Sequence, residues 1–434
     1  MNQEEYRRRR AELMALMGSG GVAVLAAAPE QVRNRDVHYP YRQDSDFYYL
    51  TGFAEPDAVL VLAPGRDQGE FILFNRERDP AREVWDGPRA GQDGACDDYG
   101  ADDAFPIDDI DEILPGLLEG RQKVFGNLGQ NPDMDQMLFS WVNQIRARSR
   151  LGVRAPDEFV SLEHLLHEMR LIKSAAELAQ MRSAAVVAAE AHRRAMQVCR
   201  PGLFEYQVEA EFHAIFRRHG GEHAYPPIVG GGRNGCILHY IDNRAELQDG
   251  DLLLIDAGCE LDCYASDITR TFPVNGRFTG EQRAVYEIVL AAQQAAIDAT
   301  RAGDHWNLPH EEALKVLVRG LVDLGLLNGD VDGLIEQEAY RPFYMHRTGH
   351  WLGMDVHDVG DYKVDGHWRE LEPGMVVTVE PGLYIADSIP EVPERWHNIG
   401  VRIEDDVVVG RDRPEVITDA VPKAIADIEA LMAS

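Results

Sequence analysis

The chain has 434 residues, of which 45% are hydrophobic and 27% are charged, a composition that excludes an intrinsically disordered protein. A chain of this length is expected to form two domains. The formal net charge of -31 excludes nucleic acid and anionic membrane as main partners, because both require a basic surface.

Membrane and signal segments are not predicted either. No stretch approaches the ~20 consecutive apolar residues that a membrane-spanning helix needs. The apolar run at 22–28 has the length of a buried strand rather than of a signal peptide. The five cysteines show no paired metal-site spacing. We therefore expect a cytoplasmic protein with reduced thiols.

The first 164 residues alternate predicted strands with predicted helices. Strands are expected at 21–28, 58–62, 70–74 and 123–125, and amphipathic helices at 4–17 and 134–148. This pattern predicts an α/β N-terminal domain at residues 1–164. The many acidic residues between Asp93 and Glu112 lack the ordered spacing of a calcium-binding loop, so we interpret them as a solvated face.

From residue 165 onward, the order helix, break, helix, strands occurs twice. A capping box at 174–177 begins a helix that is followed by a second helix at 205–219. Another cap at 279–282 begins a helix that is followed by one at 309–324. Residues 165–434 are therefore predicted to form one α+β domain of two halves related by a pseudo-twofold duplication, with a ligand site at the seam.

The two halves also repeat a strand that ends in an acid. Segments 250–258 and 374–382 share one pattern, in which Asp256 matches Glu380 and each acid closes an apolar run before a glycine turn. A buried carboxylate without a cation is strongly disfavoured. One such motif is typical of an exposed turn, but two at related positions predict a shared cation.

Two more carboxylates and a histidine are further candidate metal ligands. Asp267 follows Asp256 across a predicted hairpin, and Glu404 lies on the strand that returns after Glu380. Four carboxylates at one seam would repel one another, and a single divalent ion would leave excess negative charge, so two ions are predicted. His350 supplies an imidazole from a segment whose glycines disfavour a zinc-protease helix.

These ligands carry a family resemblance. Asp256, Asp267, His350, Glu380 and Glu404 occur in the order and context of the ligand set of the pita-bread metallopeptidases, which the chain resembles. Within that family it is similar to the bacterial Xaa-Pro aminopeptidases (aminopeptidase P). The supporting segments are 41–52, 235–240, 267–276, 350–353, 379–384 and 400–405. One departure, Thr348-Gly349 before His350, resembles the related prolidases.

The resemblance implies a role for each ligand. It implies a pita-bread fold for the C-terminal catalytic domain, in which Asp256 chelates one ion and Asp267 and Glu404 bridge two. His350 and Glu380 then complete the second ion. Because hard oxygen donors outnumber the single imidazole, we expect Mn²⁺.

The implied reaction is attack by a metal-bridging hydroxide on the carbonyl of the residue before proline. His357 is expected to donate to the oxyanion, with His239 across the cleft. Glu380 is expected to carry the proton to the leaving nitrogen. Arg402 would orient a bridging carboxylate, and Tyr384 would help to stabilise the intermediate.

Several of these residues have a structural alternative. His239 and Tyr240 together are equally typical of a hydrogen-bonded core pair, and His346 either lines the proline pocket or is structural. The apolar wall for the proline ring is expected from Trp351 or from the N-terminal domain.

The expected substrates are peptides with proline at the second position, and the expected assembly is a homo-oligomer, a dimer or tetramer. A prolidase that cleaves Xaa-Pro dipeptides is the alternative enzyme. A creatinase-like hydrolase without metals and a catalytically inactive pita-bread binding protein are further alternatives, and the complete ligand set disfavours both.

Overall fold

The computed structural model describes residues 1–434, which form two compact units, Met1–Met169 and Arg170–Ser434. The division between these units and the one predicted after residue 164 both fall within the helix Glu163–Leu171. Every helix is too short or too polar to cross a membrane.

The first unit is built on a mixed sheet flanked by helices. Its strands are β1 (Gly21–Ala26), β2 (Val32–Asn34), β3 (Val37–His38), β4 (Val59–Leu62), β5 (Phe71–Asn75), β6 (Asp103–Pro106), β7 (Lys123–Gly126) and β8 (Glu158–Ser161). Its helices are α1 (Gln3–Met17), α2 (Ser45–Thr51), α3 (Pro80–Asp86), α4 (Gly91–Asp97), α5 (Ile110–Leu118) and α6 (Pro132–Ala147), and most of α7 (Glu163–Leu171) also belongs to it. Six strands follow the order β6-β5-β4-β1-β7-β8, and the hairpin β2–β3 stands apart.

The predicted elements of this unit are confirmed within a few residues. β1 pairs antiparallel with β4 and parallel with β7, and apolar residues such as Val22, Val61 and Trp141 form the core around the sheet. The acidic residues between Asp93 and Glu112 are exposed except for the half-buried Asp103, as predicted for a solvated face. Asp102 has a structural task as well, because its carboxylate accepts the backbone N–H of Phe71 at 2.9 Å.

The second unit holds the duplicated part of the chain. Its helices are α8 (Ala175–Val198), α9 (Glu205–Arg218), α10 (Gly280–Asp298), α11 (Leu308–Asp323), α12 (Val331–Glu336) and α13 (Ile425–Met432). Its strands are β9 (Glu222–His223), β10 (Ile228–Gly231), β11 (Leu252–Asp256), β12 (Cys259–Leu261), β13 (Tyr264–Ala265), β14 (Thr269–Pro273), β15 (Lys363–Val364), β16 (His367–Trp368), β17 (Val376–Val379), β18 (Gly382–Ile385), β19 (Ile399–Arg402), β20 (Asp405–Val408) and β21 (Glu415–Val416).

Each half begins with a capped helix pair, as predicted. Ser174 caps α8 and Thr279 caps α10 with complete capping boxes, in which side chain and backbone satisfy each other's donors. Helix α8 packs against α9, and α10 packs against α11. The glycine-rich segment forms the end of β10 and a 3₁₀ turn at Gly232–Cys236.

The strand registers of the two halves explain why their acids meet. β11 pairs antiparallel with β14, with Asp256 opposite Thr269. β17 pairs antiparallel with β20, with Val379 opposite Asp405. Asp256 and Asp267 therefore lie at one end of the first strand pair, and Glu380 and Glu404 lie at the same end of the second pair. The duplication predicted from the sequence is confirmed.

Candidate metal centre

Asp256 and Asp267 converge on one hydroxyl group. The O–H of Tyr225 lies 2.5 Å from Asp256 Oδ1 and also contacts Asp267 Oδ1, so the two carboxylates share one donor. Gly258 allows this turn, because a Cβ there would lie 1.8 Å from the carbonyl oxygen of Ser266. The hairpin predicted from the sequence thus brings the two acids together.

His350 and Glu380 lie on two segments that are hydrogen-bonded to each other. His350 N donates to Thr378 Oγ1 at 3.0 Å, Thr378 N donates to the His350 carbonyl at 3.0 Å, and Glu380 N donates to the Thr348 carbonyl at 2.8 Å. His350 Nδ1 donates to the Trp351 carbonyl at 2.9 Å, which leaves Nε2 facing the carboxylates. From Nε2, Asp267 Oδ2 is 3.4 Å away and Glu380 Oε1 is 3.8 Å away.

Glu404 completes the group from the second half. Only 1% of the residue is exposed, and its Oε2 accepts the hydroxyl of Thr269 at 2.6 Å. Ligand atoms of Asp267, His350 and Glu404 all lie within 4.8 Å of one another. Three of the five predicted metal ligands therefore lie together, with Glu380 Oε1 3.8 Å from His350 Nε2 and Asp256 on the same tyrosine hydroxyl as Asp267.

The electrostatics of this cluster fit a cation site. Burial, followed by the charge of Asp267, raises the pKa of Glu404 well above its ordinary value. Burial also raises the pKa of Glu380 to about 7. Arg402 pairs with Asp256 and offsets one of the four carboxylates, so the site carries excess negative charge when all four ionise. Oxygen donors with a single imidazole suit divalent ions, and the residues present therefore fit a metal pair.

Arg402 reaches the proposed ligands in two ways. Its Nη2 donates to Asp256 Oδ2 at 2.5 Å, and its Nε donates at 3.1 Å to the Thr269 hydroxyl, which in turn donates to Glu404 Oε2 at 2.6 Å. Its Nη1 donates to the Tyr384 hydroxyl at 3.0 Å, and that hydroxyl lies 2.8 Å from His346 Nε2. That Arg402 orients a bridging carboxylate stays a prediction.

The hydrogen bonds that His346 makes define its tautomer. Its Nδ1 lies 2.7 Å from the Arg347 carbonyl, which only accepts, so Nδ1 carries the proton and Nε2 accepts from Tyr384. Burial, followed by the charge of Arg402, lowers the pKa of His346 to about 3. His346 is therefore neutral at physiological pH.

His239 and His357 are both exposed. The His357 ring lies edge-on to that of His350 with 4.4 Å between centroids, so His357 stands directly beside the cluster. Burial, followed by the charge of His350, lowers the pKa of His357. The core-pair alternative for His239 does not hold, because Tyr240 donates instead to Glu205 Oε2 at 2.8 Å.

The prediction that Trp351 forms the wall of a proline pocket is wrong. The residue has 0% exposed surface, and its ring stacks on Tyr362 and lies 4.2 Å from that of Trp306. A large aromatic side chain gains most from complete burial in such a cluster. Trp351 is therefore a core residue beneath the site, although its carbonyl orients His350.

Sequence reasoning missed Tyr225. The residue comes from the segment between β9 and β10, ahead of two prolines, and nothing in its spacing from Asp256 signals a contact. Burial and the charges of Asp256 and Asp267 raise the pKa of Tyr225 well above its ordinary value, so its hydroxyl stays protonated as a donor.

Gly349 is expected to be required for metal binding. A Cβ at this position would lie 1.9 Å from the Thr378 carbonyl oxygen, so Gly349→Ala must displace the segment that carries His350. We expect metal affinity to fall about tenfold or more, as for other changes that misplace a ligand. Competition with a fluorescent chelator measures this. Gly280→Ala is the matched control because its Cβ would meet open space, and equal losses in both variants would contradict the expectation.

Two known protein families match this chain. A profile of metallopeptidase family M24 matches residues 179–411, and a profile of the aminopeptidase P N-terminal domain matches residues 6–125. The chain is 49% identical to the Xaa-Pro aminopeptidase of Escherichia coli (strain K12), over 100% of this chain and 98% of that protein.

The chain is also similar to solved structures of aminopeptidases. The aminopeptidase PepP of Pseudomonas aeruginosa matches with a TM-score of 0.99 and 63% identity, over 100% of this chain and 98% of that one. Zinc-substituted Escherichia coli aminopeptidase P in complex with product matches with a TM-score of 0.97 and 49% identity, over the same shares of the two chains.

Proposed function

This chain belongs to metallopeptidase family M24, and we propose that it is an Xaa-Pro aminopeptidase, a hydrolase that removes the N-terminal residue before a penultimate proline. The observation that carries the proposal is the buried cluster of Asp267, His350 and Glu404, whose ligand atoms lie within 4.8 Å of one another. Metal dependence follows from membership of the family, and the ligand set is complete.

Five residues are proposed to hold two divalent ions, with Mn²⁺ as the metal. Asp256 would hold one ion, His350 and Glu380 would hold the other, and Asp267 and Glu404 would contribute to both. The oxygen-rich donor set supports Mn²⁺ over a softer metal. When bound, such ions lower the pKa of water and polarise the carbonyl of the scissile bond.

The side chains around the ligands supply the remaining steps. Glu380, whose Oε1 lies 3.8 Å from His350 Nε2, is proposed to carry a proton to the proline nitrogen, which has no N–H of its own. His357 lies beside His350 and donates to the developing oxyanion. Arg402 holds Asp256 at 2.5 Å and fixes its orientation. The neutral His346 and the hydroxyl of Tyr384 form the adjoining wall.

The proposal includes the substrates, the cellular compartment and the assembly of the chain. The substrates are peptides with proline second, the chain acts in the cytoplasm, and it assembles as a homo-oligomer. The strong negative charge supports a soluble peptide as partner rather than a nucleic acid.

The test compares an Xaa-Pro-Yaa tripeptide with an Xaa-Pro dipeptide, using protein stripped by chelator and reconstituted with Mn²⁺ or Zn²⁺. Tripeptide cleavage that returns only with metal supports an Xaa-Pro aminopeptidase. Cleavage of the dipeptide alone would assign a prolidase, and silence on both with metal bound would overturn the proposal.

A further inference from the structure

A buried group of charges lies under the segment that carries His357. Asp358 Oδ1 accepts from Arg170 Nη2 at 2.7 Å, and Asp358 Oδ2 accepts from Lys173 Nζ at 2.8 Å. The three side chains are 0%, 3% and 1% exposed respectively. Burying three charges is costly, and replacement by apolar residues is often no less stable, so stability alone does not account for such a group.

The segment around this group has no regular secondary structure. Residues 352–360 contain neither helix nor strand, so their position depends on individual contacts. The backbone folds closely around the Asp358 carboxylate, since a Cβ on Gly353 would lie 2.1 Å from its Oδ2. Asp358 N also donates to the Trp351 carbonyl at 2.9 Å, which is the same oxygen that accepts from His350 Nδ1.

His357 itself depends on its neighbour for position. Its ring is exposed, and its defined contact is the edge-on packing against His350. The peptide bond to Asp358 joins His357 directly to the buried charges. We propose that Asp358, held by Lys173 and Arg170, is a positioning residue that fixes the backbone of His357 so that its ring lies beside the metal ligands.

The inference rests on the proposed function for its catalytic consequence. A misplacement of about 1 Å can lower turnover about 100-fold. Asp358→Asn is therefore expected to lower kcat about 100-fold with KM little changed, because His357 acts on the transition state. Metal content should stay normal, since the backbone of His350 is also held by two bonds to Thr378.

The experiment measures kcat on an Xaa-Pro-Yaa peptide for the Mn²⁺-loaded full chain, in a double-mutant cycle with His357→Ala. If Asp358 acts through His357, Asp358→Asn changes kcat less than about twofold in the His357→Ala background. An equal loss in both backgrounds would overturn the inference. Asp355→Asn is the matched control, because Asp355 also binds Arg170 at 2.7 Å but its side chain is 40% exposed.

A second variant and a second measurement cover the case in which Asp358→Asn does not fold. Lys173→Met removes one of the two partners and is expected to show the same dependence on His357. Hydrogen exchange should become faster in the peptide covering 352–358 and stay unchanged elsewhere; unchanged exchange there would also overturn the inference. If the wild-type holoenzyme fails to cleave the peptide, the proposed function and the catalytic role fall together, whereas normal cleavage with unaltered variants removes the positioning role alone.

Discussion

Glu404→Gln is expected to abolish metal-dependent activity while leaving the fold intact. The amide keeps the volume of the side chain and an oxygen that accepts the Thr269 hydroxyl at 2.6 Å, so the core loses no contact. It removes, however, the anionic oxygens proposed to bridge both ions. Since the ions supply several kcal/mol of transition-state stabilisation, kcat should fall about 10³-fold or more.

Metal content and melting temperature separate this effect from misfolding. Wild-type protein should melt at a higher temperature when metal is added, because a ligand that binds only the folded state stabilises it. Glu404→Gln should show no such increase, and its metal-free form should be at least as stable as the wild type, since it removes a carboxyl whose ionisation is disfavoured first by burial and then by the charge of Asp267. Glu415→Gln, in an exposed pair with Arg182, is the control. A variant that retains two ions and full turnover would refute the bridging role.

Much of this site was readable from the sequence because its ligands lie on regular, duplicated elements. Asp256 and Glu380 close apolar strands, and Glu404 follows a strand with visible alternation, so periodicity predicts where each side chain lies. The capping boxes of α8 and α10 are likewise local sequence patterns, and the structure forms the hydrogen bonds that these patterns predict.

The errors fall where partners come from distant segments. The contacts of Tyr225 with Asp256 and Asp267 join a loop to two strands, and no local pattern encodes them. The direct bond of Arg402 to Asp256 joins residues 146 positions apart in the sequence, and no local pattern encodes it. Trp351 next to a ligand invites a functional interpretation, yet burial against Trp306 is decided by tertiary packing.

Metal affinity is expected to rise about 100-fold or more between about pH 6 and pH 8. Burial alone would lower the pKa of His350, but its hydrogen bond to Asp267 and the charge of Glu380 outweigh burial and raise it to about 9. The pKa of Glu380 is raised to about 7, first by burial and then by neighbouring carboxylates. At pH 6 both residues hold protons that a metal must displace, and each displaced proton adds about one tenfold step in affinity per pH unit.

The same shifts give the metal-free protein the opposite pH dependence in stability. Both folded-state pKa values exceed the ordinary values of 6.5 for His350 and 4.5 for Glu380, so protonation favours the folded apoprotein. That contribution is complete below the ordinary values and is lost as pH rises through about 7 for Glu380 and about 9 for His350. The melting temperature of the apoprotein should therefore fall from about pH 6 to pH 9, while that of the metal-loaded protein holds, so the gap between them widens. Calorimetric titration with Mn²⁺ in buffers of different ionisation enthalpy counts the protons released. His219→Gln, at an exposed histidine paired with Glu190, should leave that count unchanged, and an affinity independent of pH would show that the cluster is already deprotonated before metal binds.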